Sequence, residues 1–184
     1  MQKPSKVLKA ATIMLAMLSA VCPSAPAEDS KEQVELISAT RVSKADAELV
    51  EENHKTLLSN QQLIEKVLTH LGVDYYVPKV PKYRSLGANS LLALTDQIYY
   101  AAAAKKLEAP LPTEYEGQSG SSGVNNSFLH EYNNEILRSI AKKLALPLPE
   151  KTPKTSSVFS YSLNLTKQNH EILTAVAKKL GVKA

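Results

Sequence analysis

Four stretches decide how this chain is read: NQQLIEKVLTHL at 60–71, DQIYYAAAAKKL at 96–107, NNEILRSIAKKL at 133–144 and NHEILTAVAKKL at 169–180. They end on Leu71, Leu107, Leu144 and Leu180, which are 36, 37 and 36 residues apart. Repetition at this period is the signature of a recurring helical unit. Eight residues before each terminal leucine stand Leu63, Tyr99, Ile136 and Ile172; seven before, Ile64, Tyr100, Leu137 and Leu173; four before, Val67, Ala103, Ile140 and Val176. At 100° per residue these positions share an arc of about 120–140°, the apolar face of an amphipathic helix.

The flanks agree. Lys105-Lys106, Lys142-Lys143 and Lys178-Lys179 put positive charge where a helix dipole is negative, and Gly72 and Gly181 suit a left-handed C-terminal cap. Pro110, Pro112, Pro147 and Pro149 stop the second and third helices, and Ser90, Ser127 and Ser162 or Asn164 can cap the last three starts. The expected fold is therefore all-α: four amphipathic helices in ~36-residue repeats, near 45–72, 90–108, 128–145 and 163–181, joined by long linkers containing Pro, Ser and Gly. Helices of this length, linked by about 17 or 18 residues, can lie parallel, because an extended linker of that length reaches back to the starting end. Independently docking helices on loose linkers are the alternative, favoured in the middle of the chain by the Gly/Ser-rich run 116–123.

The first helix reads as coiled-coil-like. Val50, Asn53, Leu57, Asn60, Ile64, Val67 and Leu71 alternate spacings of three and four over three heptads, with Asn53 and Asn60 at core-type positions. A buried Asn in such a seam costs stability and penalises wrong registers. An Asx residue recurs eleven before each terminal leucine, at Asn60, Asp96, Asn133 and Asn169. One reading is a polar layer that fixes register; the other is helix capping, which the unbroken pattern upstream of Asn60 opposes in the first copy. On the seam reading, Asn60→Leu raises helix stability and loosens oligomer number. The expected interaction and register residues are Asn53, Asn60, Asp96, Asn133, Asn169, Leu57, Ile64, Leu71, Ile136, Ile140, Leu144, Ile172, Val176 and Leu180.

Upstream of this region, Lys3, Lys6 and Lys9 precede the apolar run 10–21 and the Ala25-Pro26-Ala27 site, the order of a secretory signal peptide over 1–27. A run of twelve apolar or small residues is too short to span a bilayer, so no stable membrane span is expected after cleavage. The residues before Cys22 do not match a lipoprotein signal, and 28–43 reads as a flexible acidic lead-in to the repeat region 44–184. The 184-residue precursor carries +4; without the leader, 19 basic and 18 acidic residues leave +1 and no cysteine. A nearly neutral chain without a basic, aromatic-lined face is not expected to bind nucleic acid.

Chemistry is sparse. His54, His70, His130 and His170 include no pair at i and i+4, and His130-Glu131 and His170-Glu171 are followed by Asn134 and Thr174 where a zinc protease motif has its second His. Phosphate-binding loops and nucleophile elbows are missing from the sequence, and the sequons at Asn125 and Asn164 carry no weight. Tyr99 and Tyr100 sit on the stripe and read as core, whereas Tyr75-Tyr76 beside Pro78 and Pro81 reads as a contact surface. The functional expectation is an exported, periplasmic or extracellular, non-catalytic protein acting in protein–protein interaction or assembly, by homo-oligomerisation or on a protein partner, with no cofactor or metal. The alternatives are a small-ligand-binding helical bundle with a pocket in the Asx layer, or an envelope-tethered accessory protein.

Overall fold

The computed structural model describes residues 43–77, 85–113 and 122–183. The segment expected to be a signal peptide, Cys22 and nearly all of the expected acidic lead-in lie outside the described residues. Four helices follow one another, α1 (Lys44–His70), α2 (Leu86–Lys106), α3 (Ser122–Lys143) and α4 (Val158–Lys179), and the described residues contain no strand.

α2, α3 and α4 begin four to six residues before the starts expected near 90, 128 and 163. The caps explain two of these differences. Ser43 accepts a hydrogen bond from the Asp46 amide at 3.1 Å, Ser85 from Ala88 at 3.1 Å and Ser157 from Ser160 at 3.3 Å, so the starting serines of α2 and α4 are Ser85 and Ser157 rather than Ser90 and Ser162. Ser90 and Thr166 are interior residues whose hydroxyls return to carbonyls four residues back.

All four helices end in the same way. The amides of Gly72, Glu108, Ala145 and Gly181 bond to the carbonyls three residues back, and those of Val73, Ala109, Leu146 and Val182 to the carbonyls five back. These are four Schellman motifs, in which the first residue of each pair adopts a left-handed conformation: φ is 64° at Gly72, 54° at Glu108, 54° at Ala145 and 78° at Gly181. Glycine bears this geometry without penalty and other L-residues do not. Glu108→Gly and Ala145→Gly are each expected to stabilise the fold by about 0.5–1 kcal/mol, seen as a higher urea midpoint. The exposed, 3.9 Å ion pair of Glu108 with Lys143 is too weak to offset that gain. An unchanged or lower midpoint for both variants would refute the strain argument.

α1 packs on α2 and α4, and α3 packs on α2 and α4, a closed square of four helices. The helices run parallel: Leu63–Leu68, Tyr99–Ala104, Ile136–Ala141 and Ile172–Ala177, all from the C-terminal halves, supply one buried cluster, to which Ala109 after α2 is added. Aliphatic side chains and alanines fill it, with Tyr100 fully buried among them, so the bundle closes with few aromatics. Leu71, Leu144 and Leu180 pack against its end as half-buried caps.

Parallel neighbours need connections that travel the length of the bundle, and the described residues of these connections pack against its outside. In the third, residues 144–157, Lys151 pairs with Glu135 of α3 at 2.7 Å and Gln168 of α4 donates to the Glu150 carbonyl. In the second, Ser139 and Tyr132 of α3 donate to the carbonyls of Pro110 and Pro112. In the first, Tyr99 of α2 donates to the Tyr76 carbonyl, with Tyr75 edge-on to the Tyr99 ring at 5.4 Å.

Candidate functional site

The C-terminal half of the bundle is dry, and the N-terminal half is not. Leu57, Leu92, Ala93 and Leu129 form only a small apolar cluster there. Around them Asn53, His54, Asn89, His130, Asn133, Thr166 and Asn169 are buried. Buried amides and imidazoles are tolerated only where they are paired, so their partners define what this region does.

The recurrent Asx residues lie inside helices, at one level of the bundle, and do not cap helix starts. Asn133 of α3 donates its amide to the Ala93 carbonyl of α2 at 2.8 Å. Asn169 of α4 donates to the His130 carbonyl of α3 at 3.3 Å. Asn60 of α1 donates to the Thr166 carbonyl of α4 at 3.3 Å and so ties the last helix to the first. Each acceptor lies three residues before the Asx residue of its own helix. Because a carbonyl oxygen has two lone pairs, it can receive this amide in addition to its own helical N–H.

Further side chains join the layer, while Asn53 Oδ1, Gln61 Nε2 and Asn133 Oδ1 are buried without a hydrogen-bond partner. Asn134 donates to Asn169 Oδ1 at 2.8 Å, and His170 Nδ1 meets Asn60 Oδ1 at 2.7 Å. Two turns towards the N-termini, Asn89 of α2 donates to the Val50 carbonyl of α1 at 3.0 Å, and His54 Nδ1 meets Asn89 Oδ1 at 2.8 Å. In both cases the amide nitrogen is already donating elsewhere, so the imidazole Nδ1 carries the proton.

His130 is fully buried between these levels. The Thr166 hydroxyl gives its one proton to the Ser162 carbonyl, so it accepts from His130 Nδ1 at 3.3 Å, and Nε2 is left to accept from Asn53 at 3.5 Å. Burial lowers the imidazole pKa to about 3, which makes His130 a neutral ring with both nitrogens engaged. Asp96 is the exception in the ring. Burial, with a smaller contribution from Glu65, pushes its carboxyl well above the usual range, against the opposing Tyr100 hydroxyl, which lies 3.5 Å from Oδ2.

The network ties neighbouring helices together in one register. Among the described residues no three His, Cys, Asp or Glu side chains converge as metal ligands would. The expected interaction residues are consumed inside the molecule: Leu57, Ile64, Ile136, Ile140, Ile172 and Val176 are core, and Asn53 faces His130. The α1 seam thus packs against α2 and α4 of its own chain. His54, Asn89, His130, Asn134, Thr166 and His170 were not singled out as site residues from the sequence, although His130 and Thr166 share a repeat position three before the Asx, a coincidence that could have flagged them.

Among the described residues, the exposed large apolar side chains are Tyr76, Val77, Leu91, Ile98 and Leu111. They belong to α2 and to the connections on either side of it. From Leu86 to Ala104 the buried Asp96 is the only Asp, Glu, Lys, Arg or His, whereas the outer faces of α1, α3 and α4 carry ion pairs such as Glu51–Lys55, Glu135–Lys151 and Glu52–Lys167. A separate cavity of about 340 Å3 lies between α3, α4 and the third connection, lined by Phe128, Tyr132, Tyr161, Glu131 and Lys151 among others. No helix among the described residues is long and apolar enough to cross a membrane. No protein-family model, curated protein or solved structure matches the chain.

Proposed function

We propose that this chain is an exported, non-catalytic protein that acts in protein–protein interaction or assembly, and that it binds through the outer face of α2 and the connections beside it. The observation that carries this reading is the gathering of Tyr76, Val77, Leu91, Ile98 and Leu111 on one element and its flanks, with no Asp, Glu, Lys, Arg or His between Leu86 and Ala104 except the buried Asp96. Exposed apolar side chains grouped in this way mark binding surfaces more often than scattered ones do. The amphipathic stripes support the reading indirectly: they are spent on closing the bundle, so association falls to the outer surface.

The test is affinity capture with the exported form, comparing the parent with Leu91→Lys and Ile98→Lys. Each variant is expected to weaken recovery of the partner, or self-association measured by sedimentation, by about tenfold while leaving helicity intact. Equal recovery and equal sedimentation would overturn it. The aromatic-lined cavity beside α3 favours small-ligand binding as the second reading. Native mass spectrometry of the exported protein, showing a retained small molecule that is lost on Tyr161→Ala, would favour this alternative.

A further inference from the structure

The ring of cross-helix amides has four positions and three amides. Asn133, Asn169 and Asn60 each donate to the preceding helix, at Ala93, His130 and Thr166. Carried onto α2 and α1, the same register pairs Asp96 with the carbonyl of Leu57, three residues before Asn60. The two helices are already joined in this geometry seven residues earlier, where Asn89 donates to Val50 at 3.0 Å. Asp96 Oδ1 is buried without a hydrogen-bond partner, while Oδ2 has the Tyr100 hydroxyl at 3.5 Å. A carboxylate at this position would set two acceptors against each other. A carboxylic acid has nearly the shape of an amide and one proton to donate.

We propose that Asp96 is a protonated carboxylic acid standing in for the fourth ring amide, donating to the Leu57 carbonyl, so that the join between α1 and α2 is a hydrogen bond that alkaline pH switches off. The surroundings support this. α1 contributes Glu65, a like charge, and α2 contributes the Tyr99 and Tyr100 hydroxyls, with Tyr75 of the first connection beside Tyr99. α3 contributes Asn133 at the same level and His130 a turn away, neutral through burial. Among the described residues no cation offsets these groups. The sign follows from linkage: an acid whose folded pKa is raised binds more protons folded than unfolded, so stability falls as pH climbs from the ordinary carboxyl range towards the folded value. Below about pH 6.5 the titration of His130 works in the opposite direction, so the fall emerges above that pH. α2 also carries the exposed apolar face, which places this switch on the same helix, but the argument does not depend on the binding reading.

The experiment compares thermal unfolding of the full chain with that of Asp96→Asn between pH 6.5 and 9. The parent is expected to lose stability steadily as pH rises, and Asp96→Asn to stay level and melt about 5 °C higher at pH 8.5. Infrared spectroscopy at pH 7 should show a protonated-carboxyl carbonyl band that disappears in Asp96→Asn. Parallel pH profiles, a variant that melts below the parent, or absence of that band would each overturn the proposal.

Discussion

Asn60→Leu is expected to lower stability by about 2–3 kcal/mol, read as a reduced urea midpoint with an unchanged slope. Taken as a coiled-coil seam position, Asn60 predicts the reverse, because leucine in a seam buries more apolar surface. The bundle changes the sign. Asn60 donates to the Thr166 carbonyl and accepts from His170 Nδ1, and it is 1% exposed. Leucine removes both bonds and leaves a half-buried imidazole N–H with no acceptor. The damage falls where α1 meets α4, a contact with no chain connecting its two helices. Replacing both partners, as Asn60→Leu with His170→Leu, should recover part of the loss, because two apolar groups leave nothing unpaired. A midpoint for Asn60→Leu at or above the parent would sink this account.

His130→Gln is expected to gain stability over the parent as pH falls, reaching roughly 4 kcal/mol of relative gain near pH 3. The imidazole is held neutral, with its pKa lowered to about 3 by burial, while in the unfolded chain it titrates near the ordinary histidine value of 6.5. Between those values the unfolded state binds the extra proton, so the parent's stability drops with each unit of acidification and the variant is spared that drop. Glutamine offers a donor for Thr166 and an acceptor for Asn53, the two roles that His130 fills. Because the effect is a difference between two proteins at each pH, the opposite slope assigned to Asp96 cancels. Denaturation at pH 7, 5 and 4 would show it, and a gap that stays constant with pH would rule out a neutral buried imidazole.

The helices were legible because their apolar positions recur with a helical period and their ends carry lysines, Gly72 and Gly181. Their starts were less so. Ser85 and Ser90 stand near the start of α2 and Ser156, Ser157, Ser160 and Ser162 near that of α4, each chemically able to cap, and the choice of Ser85 and Ser157 is made by where the chain enters the bundle. The Asx positions were visible as a repeat, and so was their compatibility with a polar layer. Their acceptors were not, since backbone carbonyls of neighbouring helices carry no side-chain signal. Leu91 and Ile98 were passed over because an apolar residue off the stripe looks like noise until it is found exposed.

The sequence by itself determined that this protein is all-α, with four helices whose apolar faces must be buried, because periodicity and end signals act over a few turns and need no partner to be read. Only the tertiary structure decided what buries them. The α1 seam could have met a second copy as well as α2 and α4, for a heptad records the need for a partner and not its identity. The four helices lie parallel, with their Asx residues at one level. That arrangement turns three asparagines into joints between helices, isolates Asp96 as the one acid among them, and leaves Leu91 and Ile98 of α2 exposed.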